Sequence, residues 1–239
     1  MYNLDEDGNC NYVSLSQYLR DMTDNNSVKI LNYNIRSFNA NYDCFSLAFM
    51  KSNPPNILIL SETWFNEDST ACLTGYQGYH TTRDGRSGGV SVYIDNRYDS
   101  NLVPNLSFAN LTIEVCTVDV SVNNFKFTII SIYRPHSDSI LNFCDFFTGF
   151  LNCSHFANKF CIILGDLNIC LLKNDNPNLS FANLLFSHNF LPLINRPTHF
   201  PRNDSISPSL LDHIFVNISN TRIAMPLLIM TLLTICPLI

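Results

Sequence analysis

Short apolar segments that end in a polar side chain recur at four places in this chain, and they constrain its fold more than any other feature. Such side chains bind metal or phosphate: Asn34 after Lys29–Tyr33, Glu62 after Ile57–Leu60, Asp166 and Asn168 after Phe160–Leu164, and Asp212 beside Leu210-Leu211. Apolar runs of this length predict buried β-strands. Because strand ends converge at one edge of a sheet, we expect these groups to meet in one cleft. Each residue alone is also a common turn former at a strand end.

The segments between these runs predict a mixed α/β architecture. Alternating patterns predict strands at Gly88–Asp95, Leu111–Val120 and Lys126–Tyr133, the last two joined at Val122-Asn123-Asn124, a hairpin signal. Helical spacing predicts helices at Tyr42–Lys51, Ser139–Leu151 and Pro177–Ser187. Together these elements predict a sandwich of two mostly antiparallel sheets with helices outside.

Three segments divide the chain. Residues 1–27 are a polar, acidic leader that we expect to lie outside the fold, and their composition is not that of a signal peptide. Residues 28–219 carry the globular pattern, and residues 220–239 form an apolar tail. With 239 residues, 46% of them hydrophobic, the chain can bury one sizeable core. Nine cysteines without a CxxC pair indicate reduced thiols in an intracellular protein.

The charge balance limits how this chain can bind a polyanion. Lys and Arg number 14 against 20 Asp and Glu, a net charge of −6, which excludes a globally basic nucleic-acid clamp. Phosphate binding must therefore be local or metal-assisted. Six arginines fall in loops beside the polar strand ends, as a phosphate-contacting rim or as ordinary exposed charge: Arg36, Arg83, Arg86, Arg134, Arg196 and Arg202.

Carboxylates and carboxamides at these strand ends suit a hard divalent cation. Mg²⁺, or Mn²⁺ in its place, takes oxygen ligands and keeps several waters. Such an ion offsets the charge of a phosphodiester and stabilises its leaving oxygen. A second carboxylate can position and deprotonate the attacking water. The residues alone therefore favour phosphodiester chemistry.

Six local motifs occur in an order that resembles a known family. They are Tyr33-Asn34-Ile35-Arg36-Ser37, Ser61-Glu62-Thr63-Trp64, Gly88-Gly89-Val90, Ile132-Tyr133-Arg134-Pro135, Gly165-Asp166-Leu167-Asn168 and Leu211-Asp212-His213-Ile214-Phe215. Together they resemble the endonuclease/exonuclease/phosphatase family, over roughly residues 28–219. Within that family, the SETW and LDHIF motifs are similar to those of the endonuclease domain of LINE-type non-LTR retrotransposons.

This resemblance implies a four-layered α/β sandwich that cleaves phosphodiesters of DNA with Mg²⁺. By position, Glu62 would be the main metal ligand, Asn34 would help to hold the metal or phosphate, and Asp166 would activate the water. Four further residues would bind substrate or assist. Asn168 would hydrogen-bond both the phosphate and Asp166, and Tyr133 and Ser209 would lie at the phosphate. Asp212 would orient a histidine from the chain's end. Arg134 would contact substrate. Nicking would leave a 3′-hydroxyl for a reverse transcriptase in a longer polyprotein, in the nucleus.

The chain departs from the family at its end, where a short Asp-His-x-Pro motif is expected. Thr221–Ile239 contains no histidine, and His213 belongs to an earlier strand. A shifted reading frame across Met230–Pro237 admits Asp-Ile-Ser-Asp-His-Leu-Pro, so we hypothesise that a frameshift replaced the last strand. The absence of the terminal histidine favours an impaired remnant as the alternative to an active endonuclease. A phosphatase of the same fold is a further alternative, because a substrate other than nucleic acid fits the net charge of −6 better. The uncharged run Ile223–Ile239 also admits a membrane anchor, at the short limit of a spanning helix.

Overall fold

Two β-sheets packed face to face form the centre of the molecule. The structure is a computed structural model, and it describes residues 2–4, 10–12, 28–50, 54–66, 68, 70–83, 87–136, 139–201, 207–217 and 231–235. Within these ranges it contains three α-helices and fourteen strands. The predicted sandwich of two sheets flanked by helices is confirmed.

The first sheet has five strands and a parallel core. In spatial order they are β14 (Thr231–Ile235), β3 (Lys29–Asn34), β4 (Ile57–Ser61), β6 (Val90–Asp95) and β5 (Tyr76–Thr81). The pairs β14–β3 and β3–β4 are parallel, and the other two pairs are antiparallel. Strands β3 and β4 therefore end at the same edge.

The second sheet has seven strands, of which one pair is parallel. Along its main path they are β12 (Phe190–Pro192), β13 (Asp212–Asn217), β11 (Phe160–Asp166), β10 (Phe125–Tyr133), β9 (Glu114–Val122) and β7 (Asp99–Leu102), and β8 (Phe108–Ala109) pairs with β9. Only β10 and β11 run parallel. They too end together, at the edge where β13 begins.

The helices form the outer layers. Helix α1 (Phe38–Phe49) packs Phe38 and Phe45 on the five-stranded sheet. Helices α2 (Ile140–Leu151) and α3 (Asn176–Ser187) cover the seven-stranded sheet with a cluster of phenylalanine rings. The core between the sheets is built from branched aliphatic side chains of both. This order of helix, sheet, sheet and helix is the predicted four-layered arrangement.

Local sequence signals explain most element boundaries. The side chains of Ser37, Ser139 and Asp175 accept backbone N–H groups at the starts of α1, α2 and α3. Helix α1 therefore begins at Phe38, four residues before its predicted start. At the predicted β9–β10 hairpin, Asn123 and Asn124 both have positive φ, as a tight hairpin turn requires.

The apolar tail contributes a strand. Thr231–Ile235 pairs with β3, so an edge strand is present where we expected the tail to remove one. The alternative of a membrane anchor in this tail is contradicted, because no helix within the described ranges is long and apolar enough to span a bilayer. The other residues of 218–239 lie outside the described part of the chain. The shifted reading frame stays a prediction.

The leader is described only in part. Strands β1 (Tyr2–Leu4) and β2 (Cys10–Tyr12) form a two-stranded antiparallel ribbon. The rest of residues 1–27 lies outside the described ranges, so the separation of this leader from the domain stays a prediction.

Candidate active site

Six strands, four from the seven-stranded sheet and two from the five-stranded sheet, deliver polar side chains to one edge of the sandwich. In the seven-stranded sheet, Glu114, Tyr133, Asp166 and Asp212 occupy one cross-strand row over β9, β10, β11 and β13. In the five-stranded sheet, Asn34 ends β3 and lies opposite Ser61, directly before Glu62. Parallel β3–β4 and β10–β11 pairs place these residues at matching ends, as the sequence predicts.

The Asn34 side chain joins the two sheets through a pair of carboxylates. Its amide nitrogen Nδ2 donates to Glu62 Oε1 at 2.7 Å and to Asp166 Oδ2 at 2.9 Å. Its Oδ1 accepts the backbone N–H of Arg36 at 3.2 Å. One amide group therefore fixes Glu62 and Asp166 side by side, with both of its hydrogens used.

Asp166 and Asp212 form an acidic pair across neighbouring strands. They lie directly opposite each other and are both buried. Burial and the nearby Glu62 carboxylate raise the pKa of Asp166 to about 7, against the lowering effect of the Asn34 hydrogen bond. Burial and then Asp166 raise the pKa of Asp212 well above its ordinary value. Like charges held this close are unfavourable, so the site has a deficit of positive charge.

Asp212 is the first residue of its strand, β13, whereas the other predicted site carboxylates lie at the end of a strand or directly after it. The Thr198 hydroxyl oxygen accepts the backbone N–H groups of Leu211 and Asp212, at 3.0 Å each, and so holds the start of β13. Within the described part of the chain, Asp212 Oδ1 is buried without a hydrogen-bond partner. This orphaned oxygen is a strong candidate for contact with a ligand.

Several site residues have backbone conformations that are uncommon for non-glycine residues. The φ angles of Glu62 and Asn168 are +54° and +50°. Asn168 is held there because its backbone N–H donates to Asp166 Oδ1 at 3.1 Å and its Nδ2 donates to the Arg134 carbonyl at 2.7 Å. Left-handed conformations of this kind cluster at functional sites, where the surrounding structure holds them.

A cavity of about 300 Å³ opens over this cluster. Six of the eight predicted site residues line it: Asn34, Glu62, Asp166, Asn168, Ser209 and Asp212. Tyr133 and Arg134 are not among its lining residues. The pKa of Tyr133 is raised, first by burial and then by Glu62 and Asp166, which places its hydroxyl within their electrostatic reach. Arg134 is buried, with its guanidinium 5.6 Å from the Phe143 ring centre and its Nη1 3.5 Å from the carbonyl oxygen of Asn168.

Of the six loop arginines that were candidates for a phosphate-contacting rim, only Arg36 is among the lining residues described for the cavity. Arg36 lines the cavity, whereas the nearest carboxylate to Arg83 is that of Glu114, at 3.5 Å. Arg196 is exposed away from the cavity lining. Arg86 and Arg202 lie outside the described residues.

Sequence reasoning missed Glu114 and two histidines. Glu114 is fully buried opposite Tyr133, and its Oε2 accepts the backbone N–H of Gly89. Burial raises its pKa, while Gly89 and Arg83 lower it. His136 and His199 line the cavity, although neither matches a family motif. Only the alternation of β9 hinted at an inward Glu114, and the histidines carried no local signal.

A divalent cation fits the chemistry of this site. Within the described ranges no three His, Cys, Asp or Glu side chains are grouped closely enough to form a metal cage by themselves. Mg²⁺, however, is commonly bound by one or two carboxylates plus waters and substrate phosphate. The paired Glu62 and Asp166 oxygens, the raised pKa of the buried acids and the orphaned Asp212 oxygen all favour added positive charge.

Solved structures with the same fold include nucleic-acid enzymes. One is the endonuclease domain of TRAS1, a telomere-specific non-LTR retrotransposon, at 15% identity and a TM-score of 0.57, over 79% of this chain and 84% of that one. Another is the 3′ phosphatase NExo from Neisseria bound to a product DNA hairpin, at 16% identity and a TM-score of 0.59, over 79% and 86%. A third is the catalytic domain of Xenopus laevis APE2, at 14% identity and a TM-score of 0.56, over 79% of this chain and 82% of that one.

Sequence comparison settles the family. A search of curated proteins finds no match. The sequence profile of the endonuclease/exonuclease/phosphatase family, in contrast, matches residues 31–224, a span that includes every residue of the cluster described above. The chain therefore belongs to the endonuclease/exonuclease/phosphatase family.

Proposed function

We propose that this chain is a divalent-metal-dependent DNA endonuclease domain of the retrotransposon type, which nicks one strand and leaves a 3′-hydroxyl. The observation that carries the proposal is the convergence of Glu62, Asp166 and Asp212 on one cavity, with Asn34 joining two of them. The fold shared with the TRAS1 endonuclease domain supports a nucleic-acid substrate. A 3′-hydroxyl would serve a reverse transcriptase elsewhere in a longer polyprotein.

Glu62 would be the main ligand of the Mg²⁺ or Mn²⁺ ion, beside the Asp166 carboxylate. Because Asn34 donates its amide to both carboxylates, we assign it the role of aligning them. The ion, when bound, would offset the charge of the phosphodiester and lower the pKa of water nearby.

The chain's own residues would carry the proton and orient the phosphate. Asp166 would accept a proton as the water oxygen bonds to phosphorus and the P–O3′ bond breaks, and the departing O3′ would take a proton from solvent, giving a 5′-phosphate and a 3′-hydroxyl. The backbone bond from Asn168 orients the Asp166 carboxylate for this role. Tyr133 would donate its hydroxyl to a phosphate oxygen, since a tyrosine is protonated at neutral pH and the pKa of Tyr133 is raised further by burial and the nearby carboxylates.

Nicking of supercoiled plasmid with Mg²⁺ tests the proposal. We expect the unmodified chain to nick, EDTA to stop it, and Glu62→Gln to lower the rate by about 10³-fold, since the amide is neutral but of the same shape. Asp145→Asn, an exposed acid on α2, is the matched control and should leave the rate unchanged. Extension of the nick by DNA polymerase without prior end repair would establish the 3′-hydroxyl.

Equal nicking by the unmodified chain and Glu62→Gln would contradict the proposal. So would release of phosphate from a 3′-phosphate end without any nicking, which would indicate a phosphatase.

An impaired remnant is the second candidate. It is favoured by the buried Asp212 Oδ1, which has no hydrogen-bond partner within the described residues. A folded chain that binds Mg²⁺ and DNA but does not nick would support this candidate. Replacing residues 230–237 with Asp-Ile-Ser-Asp-His-Leu-Pro and the following residue of that frame would then be expected to restore nicking.

A further inference from the structure

His199 lies on a segment that is clamped to the acidic cavity. Its backbone N–H donates to the Ser209 carbonyl at 2.8 Å, and the Ser209 N–H donates back to the His199 carbonyl at 2.9 Å. The preceding residue, Thr198, is fully buried and holds the start of β13. The His199 side chain lines the cavity together with Glu62, Asp166 and Asp212. Its position is therefore fixed by the same contacts that fix Asp212.

A phosphate entering this cavity needs hydrogen-bond donors, and most of the polar groups there are engaged. Both hydrogens of the Asn34 amide are used by carboxylates, and the Asn168 amide donates to the Arg134 carbonyl. The lining side chains that can still offer an N–H are those of Arg36, His136 and His199, together with the second amide hydrogen of Asn168. Of the two histidines, His136 is exposed, whereas His199 is half-buried.

Ser209 is the neighbour of the His199 ring that can select its tautomer. The Ser209 hydroxyl oxygen lies 3.5 Å from Nδ1, a contact in which either atom can be the donor. When the hydroxyl donates, the single hydrogen of the neutral ring resides on Nε2, the atom at the far end of the side chain. Burial, and then Arg36, lower the pKa of His199, which keeps the ring neutral at physiological pH.

We propose that His199 is a substrate-contacting residue whose Nε2–H donates to a non-bridging oxygen of the bound phosphodiester, with Ser209 as the positioning residue that sets its tautomer. The inference rests on the proposed function, because it assumes that the cavity receives a phosphodiester. It transfers no proton, so the ring remains neutral through the reaction.

Substitutions separate a contact from a structural role. We expect His199→Ala to lower kcat for plasmid nicking by about 10²-fold, the typical cost of losing one donor to a phosphoryl oxygen. His199→Gln, whose amide nitrogen reaches a similar point, should recover at least tenfold of that loss. Ser209→Ala should lower kcat by a smaller factor, and Ser209→Thr should restore it. His188→Ala, at the end of α3 and outside the cavity, is the control and should nick normally.

Nuclear magnetic resonance of ¹⁵N-histidine-labelled protein provides a readout besides activity. In EDTA, we expect the His199 ring of the wild type to show the Nε2–H tautomer and that of Ser209→Ala to show a mixture of both tautomers. Addition of a short duplex DNA should shift the Nε2 resonance of the wild type. Wild-type nicking that His199→Ala retains within twofold, while Glu62→Gln is inactive, would overturn the inference alone. If neither the wild type nor Glu62→Gln nicks, the proposed function fails, and the Nε2 shift then decides on His199: its absence overturns the contact and its presence supports it.

Discussion

At the scale of single residues, the site is organised by charge that the fold does not neutralise. Asp166 and Asp212 face each other across β11 and β13, and Glu62 is joined to Asp166 through one amide. Removing a partner from a well-matched buried ion pair is destabilising, but here the buried charges repel. We therefore expect this site to lower the stability of the metal-free protein.

Asp212→Asn should stabilise the metal-free chain. The amide keeps the shape, removes a buried charge and can donate to Asp166, so we expect the free energy of unfolding at pH 8 to rise by about 1–3 kcal/mol. Since raised pKa values favour bound protons in the folded state, the contribution of this acidic pair to stability should fall as pH rises from 4 through 7, and the wild type should lose stability relative to the variant over this range. Urea unfolding in EDTA measures both. An unchanged or lower stability of the variant at pH 8 would contradict the expectation.

The buried His213 should make folding stability depend on pH with the opposite sign to that of the Asp166–Asp212 pair. Its Nε2 lies 2.8 Å from the Ile169 carbonyl, and its Nδ1 has no hydrogen-bond partner among the described residues. Burial lowers its pKa to about 4, so the unfolded chain binds a proton that the folded chain excludes. This stabilisation is complete above pH 6.5 and is lost as pH falls from 6.5 to about 4, by roughly 3 kcal/mol.

The measurement is urea unfolding of wild type and His213→Gln at pH 7 and pH 4.5. Gln retains a donor for the Ile169 carbonyl but does not titrate, so the stability difference between the two proteins should shrink at the lower pH. A constant difference would show that His213 is protonated equally in the folded and unfolded states.

Residue-level prediction succeeded where the signal was local. Asn34, Glu62 and Asp166 each follow an apolar strand, so their convergence follows from the strands being parallel. The presence of His199 in the cavity depends instead on its backbone bridge to Ser209, a tertiary contact. The substrate contact expected of Arg134 stays a prediction. Its guanidinium packs on the Phe143 ring of α2, and nothing next to Arg134 in the sequence indicates that contact.

At the scale of elements, close approach of β10 and β11 explains the glycine before Asp166. Gly165 has a φ of +141°, and a Cβ atom there would overlap the Ile132 carbonyl oxygen on β10. The parallel pair that carries Tyr133 and Asp166 thus depends on a residue without a side chain.

Gly165→Ala should therefore be strongly destabilising, by about 3 kcal/mol or more, because the added carbon displaces backbone and not a flexible side chain. Gly149→Ala is the matched control, since Gly149 lies in α2 with open space around it. We expect it to stabilise by up to about 1 kcal/mol through helix propensity. Thermal unfolding of both variants compares them, and similar melting temperatures would contradict this account of Gly165.

Element boundaries were predicted well for α2, α3 and the β9–β10 hairpin. Ser139 and Asp175 cap α2 and α3 close to their predicted starts, and the Asn123-Asn124 hairpin joins β9 to β10, whereas α1, capped by Ser37, begins four residues early. The short edge strand β7 was missed because its alternating residues are polar and half-exposed. Its pairing with β9 is a long-range contact that local periodicity does not report.

At the scale of the whole molecule, metal binding should couple to stability. A ligand that binds only the folded state stabilises it by RT ln(1 + [L]/Kd), about 2.7 kcal/mol at one hundred times Kd. We expect Mg²⁺ to raise the melting temperature of the wild type by several degrees above EDTA, and expect Glu62→Gln to lose most of this rise. An equal rise in both proteins would show that the ion acts elsewhere, and matched NaCl corrects for ionic strength.

The parallel pairing of β3 with β14 also has a consequence for synthesis on the ribosome. Residues 29–33 pair with residues 231–235, so one side of β3 stays without its partner until residue 235 has been translated. Contacts this distant in sequence form slowly, and an open strand edge invites pairing with other chains in the meantime. Nascent chains halted before residue 231 should therefore aggregate or recruit chaperones more readily than chains released after it.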